Sequence, residues 1–375
     1  MKRICIYMIY DRQNVVNPYI GRVLEELKKH VSSLVVVCNF NEIKAGLKYI
    51  KTYADDFVLR NNDGLDAGAF KDMITKHIGW EKLYEYDELL LTNDTYFGPL
   101  YSFDDMFSAM DADCCDYWGI TKHPEVNIQG RGYYGEHIQS YFLNFKSAIL
   151  HSCIFKEYWD SYVPSDIKEE TIVNYEIGIN SLLKEYGFVG STYMDKHNEN
   201  YIFRSGENPY SQYALEIIRD LKVPIIKKTN FYGKNRWLIN SFLAKEYIYH
   251  NLEYDCTLID NYFEEYQKKG LVGTYYNFDN MSEFVSKRNK IYIYGCGVWG
   301  QITADYFDYR GWKYEGFITT NGTEVKSKKF TDIEFGDNDG IIIAQEYKNV
   351  CAQIVDYIGE RCNKEQIFTP CYVID

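Results

Sequence analysis

The chain has no apolar run approaching the roughly 20 residues that a bilayer-spanning helix needs. It also has no Cys-x-x-Cys pair, no internal repeat and no low-complexity tract. The first absence argues against an integral helical membrane protein. The second leaves the ten cysteines (Cys5, Cys38, Cys114, Cys115, Cys153, Cys256, Cys296, Cys351, Cys362 and Cys371) without zinc-site spacing. Cys5, Cys38 and Cys296 lie in or beside apolar, strand-like runs, so the thiols read as reduced core groups of a cytoplasmic protein. Positive charge is also short, 41 Lys and Arg against 54 Asp and Glu, a net charge of −13. Such a balance argues against general nucleic-acid binding, which must neutralise phosphates, and gives no pull toward anionic lipid. The opening apolar run, Ile4 to Tyr10, is too short for a signal peptide and meets Asp11-Arg12, so it reads as a first strand.

What is present is globular: 46% hydrophobic and 25% charged residues over 375 positions, long enough for two domains. Tyrosine is abundant, at 37 residues; its flat ring suits sugar and base stacking, but genomic composition bias produces the same excess. Strand and helix patterns alternate from the start. Ile4–Ile9, Leu34–Cys38, Phe57–Leu59 and Leu89–Leu91 read as strands. Tyr19, Val23, Leu24 and Leu27, and then Phe70, Met73, Ile74 and Ile78, fall at helical spacing. This βαβ alternation predicts an α/β fold with a mainly parallel sheet. Tyr117–Thr121 and Ser140–Leu143 read as further strands around a polar, glycine-rich loop over Lys122–Glu136, and a helix is expected from about Glu169 to Tyr186, stopped by Gly187.

The expected organisation is a first domain over residues 1–245, a helical connector over 246–285 and a small Rossmann-like βαβ domain over 286–375. In the last, Gly295-Cys296-Gly297-Val298-Trp299-Gly300 follows a strand and fits G-x-G-x-x-G. A NAD site also wants an acid at the end of the next strand, and that strand ends Thr319-Thr320-Asn321. The turn therefore reads equally as a nucleotide site or as a tight strand–helix connection.

In the first domain four polar clusters fall at strand ends, where open α/β sheets bind ligands. They are Tyr10-Asp11; Arg60 through Ala69, containing Asn62 and Asp66; Asn93-Asp94; and Tyr175 through Leu183, containing Glu176. Asp66 is placed to cap a helix or to hold a ribose or sugar hydroxyl. Asp94 reads as a turn-former unless a ligand lies beside it. Ile172, Glu176, Ile179 and Leu183 share one helical stripe, so Glu176 is expected to be partly buried, with its pKa raised toward the range of a general base. His137, after the glycine-rich loop, and Lys227 are candidates for acceptor or phosphate contacts.

Arg60-Asn62-Gly64-Asp66-Gly68, Leu91–Pro99, Asp116–Thr121 and His137–Phe142 occur in that order, followed by Glu176-Ile177-Gly178 and Pro224–Lys228. Together they resemble the rhamnan synthesis protein F family of bacterial glycosyltransferases, over roughly residues 1 to 240. The resemblance implies a GT-A-like nucleotide-diphospho-sugar transferase fold. It implies transfer of rhamnose or a hexose from dTDP-rhamnose or a UDP-hexose to a cell-surface polysaccharide or lipid-linked glycan. It places Asn93-Asp94 where such enzymes carry an Asp-x-Asp motif, here with one acid, so that Asp94 would hold Mg²⁺ or Mn²⁺. Glu176 is similar to the catalytic base of inverting enzymes, and His137 is the second catalytic candidate. Tyr10, Arg60, Asn62, Asp66, Asn93 and Lys227 would line the donor. The expected location is the cytoplasm, with peripheral association at the inner face of the membrane. Two other readings stay open: a NAD-dependent oxidoreductase or epimerase built on the 295–300 turn, and a non-catalytic nucleotide-sugar-binding protein.

Overall fold

The apolar runs fold as strands that supply one large sheet. In the computed structural model, residues 1–128, 130–198, 200–231, 238–270, 278–323, 327–345 and 347–370 are described. They divide into two units, Met1–Lys228 with Tyr247–Ile259, and Thr229–Glu246 with Asp260–Asp375.

The first unit contains β1 (Arg3–Ile9), β2 (Ser33–Cys38), β3 (Asp56–Leu59), β4 (Glu88–Asn93), β5 (Tyr96–Phe97), β6 (Tyr117–Gly119), β7 (Lys122–His123), β8 (Val126–Ile128), β9 (Gly132–Tyr134), β10 (His137–Ile138), β11 (Phe142–Phe145), β12 (Gly190–Thr192) and β13 (Ile226–Lys227). Seven of them form a sheet in the order β12-β6-β11-β4-β1-β2-β3. Only β11 runs against its neighbours, β4 and β6. Every residue of β1 and β4 is buried, as expected of strands covered on both faces. One face packs Ile4, Ile6, Leu89 and Leu91 against Phe70, Ile74, Trp159, Tyr175 and Leu183. Each such side chain contributes about 1.5–3 kcal/mol by leaving water. At the amino end of the sheet the buried Arg3 pairs with Glu88 at 2.7 Å, and Asn144 donates to the same carboxylate at 2.8 Å. That end is therefore tied shut, and the carboxyl end carries the candidate site.

Two segments differ in detail from the sequence expectation. The Lys122–Glu136 stretch is not simply a loop: β8 and β9 pair as a hairpin, Val126 opposite Tyr134, and β7 pairs with β10. Residue 129 lies outside the described residues. The expected helix runs Lys168–Glu185, but its middle, Ile172–Ile177, is π-helical, and Gly187 ends it at φ +82°. A π turn rotates the following residues relative to an α-helix and is frequent at functional sites. It carries Glu176.

The second unit holds β14 (Ile291–Tyr294), β15 (Gly316–Thr319), β16 (Ser327–Lys329), β17 (Gly340–Ile343) and β18 (Ile367–Phe368). All five are parallel, in the order β16-β15-β14-β17-β18. Ile318, Ile341, Ile343, Phe330 and Cys351 form part of its core. The stretch expected as a connector contains helix Thr257–Lys268 and overlaps helices Leu238–Asn251 and Met281–Ser286, and its residues 271–277 lie outside the described residues. Cys5, Cys38, Cys114, Cys115, Cys153, Cys351 and Cys362 are free thiols, and Cys371 lies outside the described residues. Among the described residues no helix is long and apolar enough to cross a membrane.

Candidate active site

Parallel pairing brings the carboxyl ends of β1, β2, β3 and β4 to one edge of the sheet. Because β11 is antiparallel to β4, with Phe142 opposite Thr92, the residues just before it arrive at the same edge. The buried Thr92 hydroxyl donates to the Tyr141 carbonyl at 2.8 Å and fixes that approach. β10 crosses close to Gly119: a Cβ there would lie 2.4 Å from Ile138 Cγ2 and 2.7 Å from the Phe142 carbonyl oxygen. The Asn180 side chain then holds Ile138 by both backbone groups, at 3.0 and 2.9 Å.

These constraints deliver His137 and Ser140 to Glu176. The Ser140 amide and hydroxyl donate to Glu176 Oε2 at 2.7 and 2.6 Å, and His137 Nε2 lies 3.5 Å from Oε1. His137 is buried, its Nδ1 is 3.0 Å from the Gly135 carbonyl, and its ring stacks on His123 at 5.6 Å. Both its ring nitrogens thus lie near oxygen atoms, of Gly135 and of Glu176. The Glu176 side chain is only 17% exposed. Burial pushes its carboxyl up, but the His137 contact and the two Ser140 donors outweigh this and hold it down at about 2. The expectation of a raised Glu176 pKa is thus corrected: burial was foreseen, but not the three donors that come with it.

Asp66 behaves in the opposite way. The Ala67 amide donates to its Oδ1 at 2.9 Å and Asn93 Nδ2 to its Oδ2 at 3.3 Å. Burial nevertheless pushes the carboxyl up to about 6, and the nearby Glu176 charge adds to the rise. Two carboxylates of one crevice are therefore separated by their surroundings, the pattern that distinguishes acid and base roles in enzymes. Near both lies Lys227, the last residue of β13. Its ammonium sits 4.4 Å from the Tyr141 ring centre and 5.7 Å from that of Tyr210. Burial lowers its pKa, against attraction from Glu176 and Asp66.

A second group adjoins the first through Asn93. The buried Asp94 accepts from the Tyr10 amide at 3.4 Å, from the Tyr19 hydroxyl at 3.3 Å and from Lys228 Nζ at 2.9 Å. The Lys228 and Asp94 side chains are 12% and 6% exposed. Tyr10 itself is 41% exposed. This donor set does not suit a divalent cation. Mg²⁺ and Mn²⁺ want several oxygen ligands, whereas one carboxylate is present and it is taken up by an ammonium, a phenol and an amide. Among the described residues no three His, Cys, Asp or Glu side chains converge as a metal group.

Arg60 and Asn62 act on the backbone. The Arg60 guanidinium reaches Asp72 at 2.9 Å, the Asn39 side chain at 2.9 Å and the Asp63 carbonyl at 2.8 Å. Asn39 in turn donates to Asn62 Oδ1 and to the Leu65 carbonyl, both at 2.9 Å. This network holds the turn that presents Asp66. Asp11 similarly accepts from the Gln13 and Val15 amides and from Asn17. Lys228, Ser140, His123, Asn39 and Asn180 are the contributors that the sequence reading gave no role. Lys228, Ser140 and Asn180 lie within motifs marked in the sequence, whereas His123 and Asn39 do not.

In the second unit the 295–300 turn leads into helix Val298–Arg310. A cavity of about 610 Å³ opens at the carboxyl ends of its strands, bordered by Gly297, Thr319, Thr320, Asn321 and Gln345.

A family model described as "Rhamnan synthesis protein F" matches residues 34–294, well over half of the chain. The chain belongs to the rhamnan synthesis protein F family. Membership supports a nucleotide-sugar glycosyltransferase of polysaccharide synthesis. No curated protein matches this family member in sequence. Solved structures similar to it include the glycosyltransferase GlyE of Streptococcus pneumoniae TIGR4, at 12% identity and TM-score 0.33, covering 95% of this chain and 99% of that one. S. aureus TarS 1-349 is 14% identical with TM-score 0.31, covering 76% and 75%. A 4-diphosphocytidyl-2C-methyl-D-erythritol synthase is 15% identical with TM-score 0.32, covering 51% and 88%. Likeness at these scores carries no argument about chemistry.

Proposed function

We propose that the first unit is a GT-A-like inverting transferase. It moves rhamnose or a hexose from dTDP-rhamnose or a UDP-hexose to a cell-surface polysaccharide or lipid-linked glycan, in the cytoplasm at the inner face of the membrane. The observation that carries this reading is the convergence of Asp66, Glu176, His137 and Lys227 at the carboxyl edge of the sheet in a member of this family. The nucleotide lies along the edge bounded by Tyr10, Asn62 and Asn93, with Arg60 acting through the turn it braces. The acceptor hydroxyl oxygen forms a bond to the anomeric carbon. The bond from that carbon to the diphosphate oxygen breaks, and its electron pair leaves with the nucleoside diphosphate.

The acceptor proton goes to a carboxylate. Glu176, held near 2 by three donors, is a weak proton acceptor; Asp66, near 6, is matched to neutral conditions. We therefore assign the proton to Asp66, and to Glu176 the positioning of His137 and the 139–141 turn.

The test is a thermal-shift and radiolabel-transfer panel with dTDP-rhamnose, UDP-glucose, UDP-galactose, GDP-mannose and NAD. Stabilisation and sugar transfer with one sugar nucleotide support the proposal. Stabilisation by NAD alone moves the function to the 295–300 turn. Sugar-nucleotide binding with neither transfer nor hydrolysis indicates the non-catalytic reading.

A further inference from the structure

Asp94 occupies the place where a transferase of this kind would hold a divalent metal, yet a protein cation already sits there. Lys228 Nζ is 2.9 Å from Asp94 Oδ2 and 5.0 Å from the Tyr19 ring centre. Lys227 instead lies over the Tyr141 and Tyr210 rings, within electrostatic reach of Glu176 and Asp66. The placement of both lysines follows from the backbone. β13 pairs antiparallel with β5, Lys227 opposite Tyr96, and the Lys228 amide donates to the Thr95 carbonyl at 2.9 Å. β13 ends at Lys227 and a 3-10 turn begins at Lys228. Both lysines are thereby held beside the end of β4, the strand end where such sheets bind ligands.

Lys227 is the more informative of the two. Among the described residues its ammonium has no hydrogen-bond acceptor and no ion-pair partner at contact distance, only the faces of Tyr141 and Tyr210. A half-buried ammonium left without an acceptor is an unfavourable arrangement that an anionic ligand corrects.

We propose that Lys227 and Lys228 supply the positive charge against the donor's diphosphate, so that donor binding and leaving-group departure need no divalent metal. This rests on the transferase reading above. Lysine is well suited to the task, since its compact charge binds phosphate as a point cation. Lys227 holds the phosphate next to the transferred sugar. Lys228, anchored on Asp94, faces the nucleoside side. Asp94 is then a positioning residue for Lys228.

The experiment is isothermal titration calorimetry of the full chain with dTDP, UDP and the matching nucleosides, in EDTA and in Mn²⁺. It uses wild type, Lys227→Met and Lys228→Arg, each first shown to be folded by circular dichroism. Lys227→Met removes a desolvated cation and orphans no acid, so it is expected to fold. The expected result is nucleoside diphosphate binding that is unchanged by EDTA, weakened at least tenfold by Lys227→Met and within about threefold of wild type in Lys228→Arg. Nucleoside binding should be unchanged by either substitution. Binding lost in EDTA and restored by Mn²⁺ overturns the proposal while leaving the transferase reading intact. Equal diphosphate affinity of Lys227→Met and wild type overturns it as well. Absence of nucleoside diphosphate binding under every condition overturns both.

Discussion

Replacing Glu176 by Gln tests how the centre of the site is held together. Glutamine keeps an oxygen for the Ser140 amide and hydroxyl, now 2.7 and 2.6 Å from Oε2, but it loses the charge facing His137 Nε2 at 3.5 Å. The gap between the ordinary 4.5 and about 2 corresponds to about 3 kcal/mol, an upper limit because the amide retains one acceptor. Since the folded value lies below the unfolded one, this stabilisation is complete above pH 4.5 and is lost as pH falls toward 2. Linkage gives a loss of about 0.8 kcal/mol by pH 4 and about 2 kcal/mol by pH 3. Asp66 titrates in the opposite sense over part of this window, so the comparison belongs on an Asp66→Asn background. Urea unfolding at pH 7, 5, 4 and 3, read by tryptophan fluorescence, should show Asp66→Asn losing stability with acid faster than the double variant. At pH 7 the double variant should be about 1–3 kcal/mol less stable. Equal stability at pH 7 with parallel pH dependence would refute the claim that the His137 and Ser140 contacts hold Glu176 ionised.

Asp66→Asn alone should raise stability at pH 7 by about 1–2 kcal/mol, discounted because the side chain is only half-buried. Its folded pKa lies above the unfolded 3.8, so the gain should disappear below pH 4, and a variant less stable than wild type at pH 7 would contradict the buried-charge account. The same variant should lose transfer by at least a hundredfold, and in wild type kcat/KM should fall on the acid side near pH 6. A profile flat to pH 5 would remove Asp66 as the base. Gly119→Ala should cost about 1–3 kcal/mol in urea unfolding, since its Cβ would meet a backbone oxygen at 2.7 Å as well as Ile138. An unchanged midpoint would show that β10 does not depend on that close approach.

How much of this was legible in the sequence differs between backbone and side chains. The strands were readable because fully buried parallel strands are continuous apolar runs, and β1, β2 and β4 are such runs. The hairpin of β8 and β9 was hidden because each strand is only three residues long and none of those residues is fully buried, too short a run for periodicity to mark. For the site, strand-end position singled out Asn93 and Asp94, whereas Glu176 was marked by its place on a helical stripe and His137 by its place after a glycine-rich loop.

Partnership was not legible, and partnership sets the chemistry. Burial alone predicts a raised pKa for Glu176 and for Asp66 alike, yet one lies near 2 and the other near 6. The difference comes from Ser140 and His137, which are 36 and 39 positions away from Glu176 in the chain and reach it only because β11 runs antiparallel. The same holds for Asp94, whose partner Lys228 is 134 residues distant. A carboxylate at a strand end in sequence is therefore compatible with a metal ligand, a base or an anchor for a cation. Here the partner brought by β13 favours the last, because an ammonium 2.9 Å from Oδ2 competes directly with any divalent ion for the same oxygen.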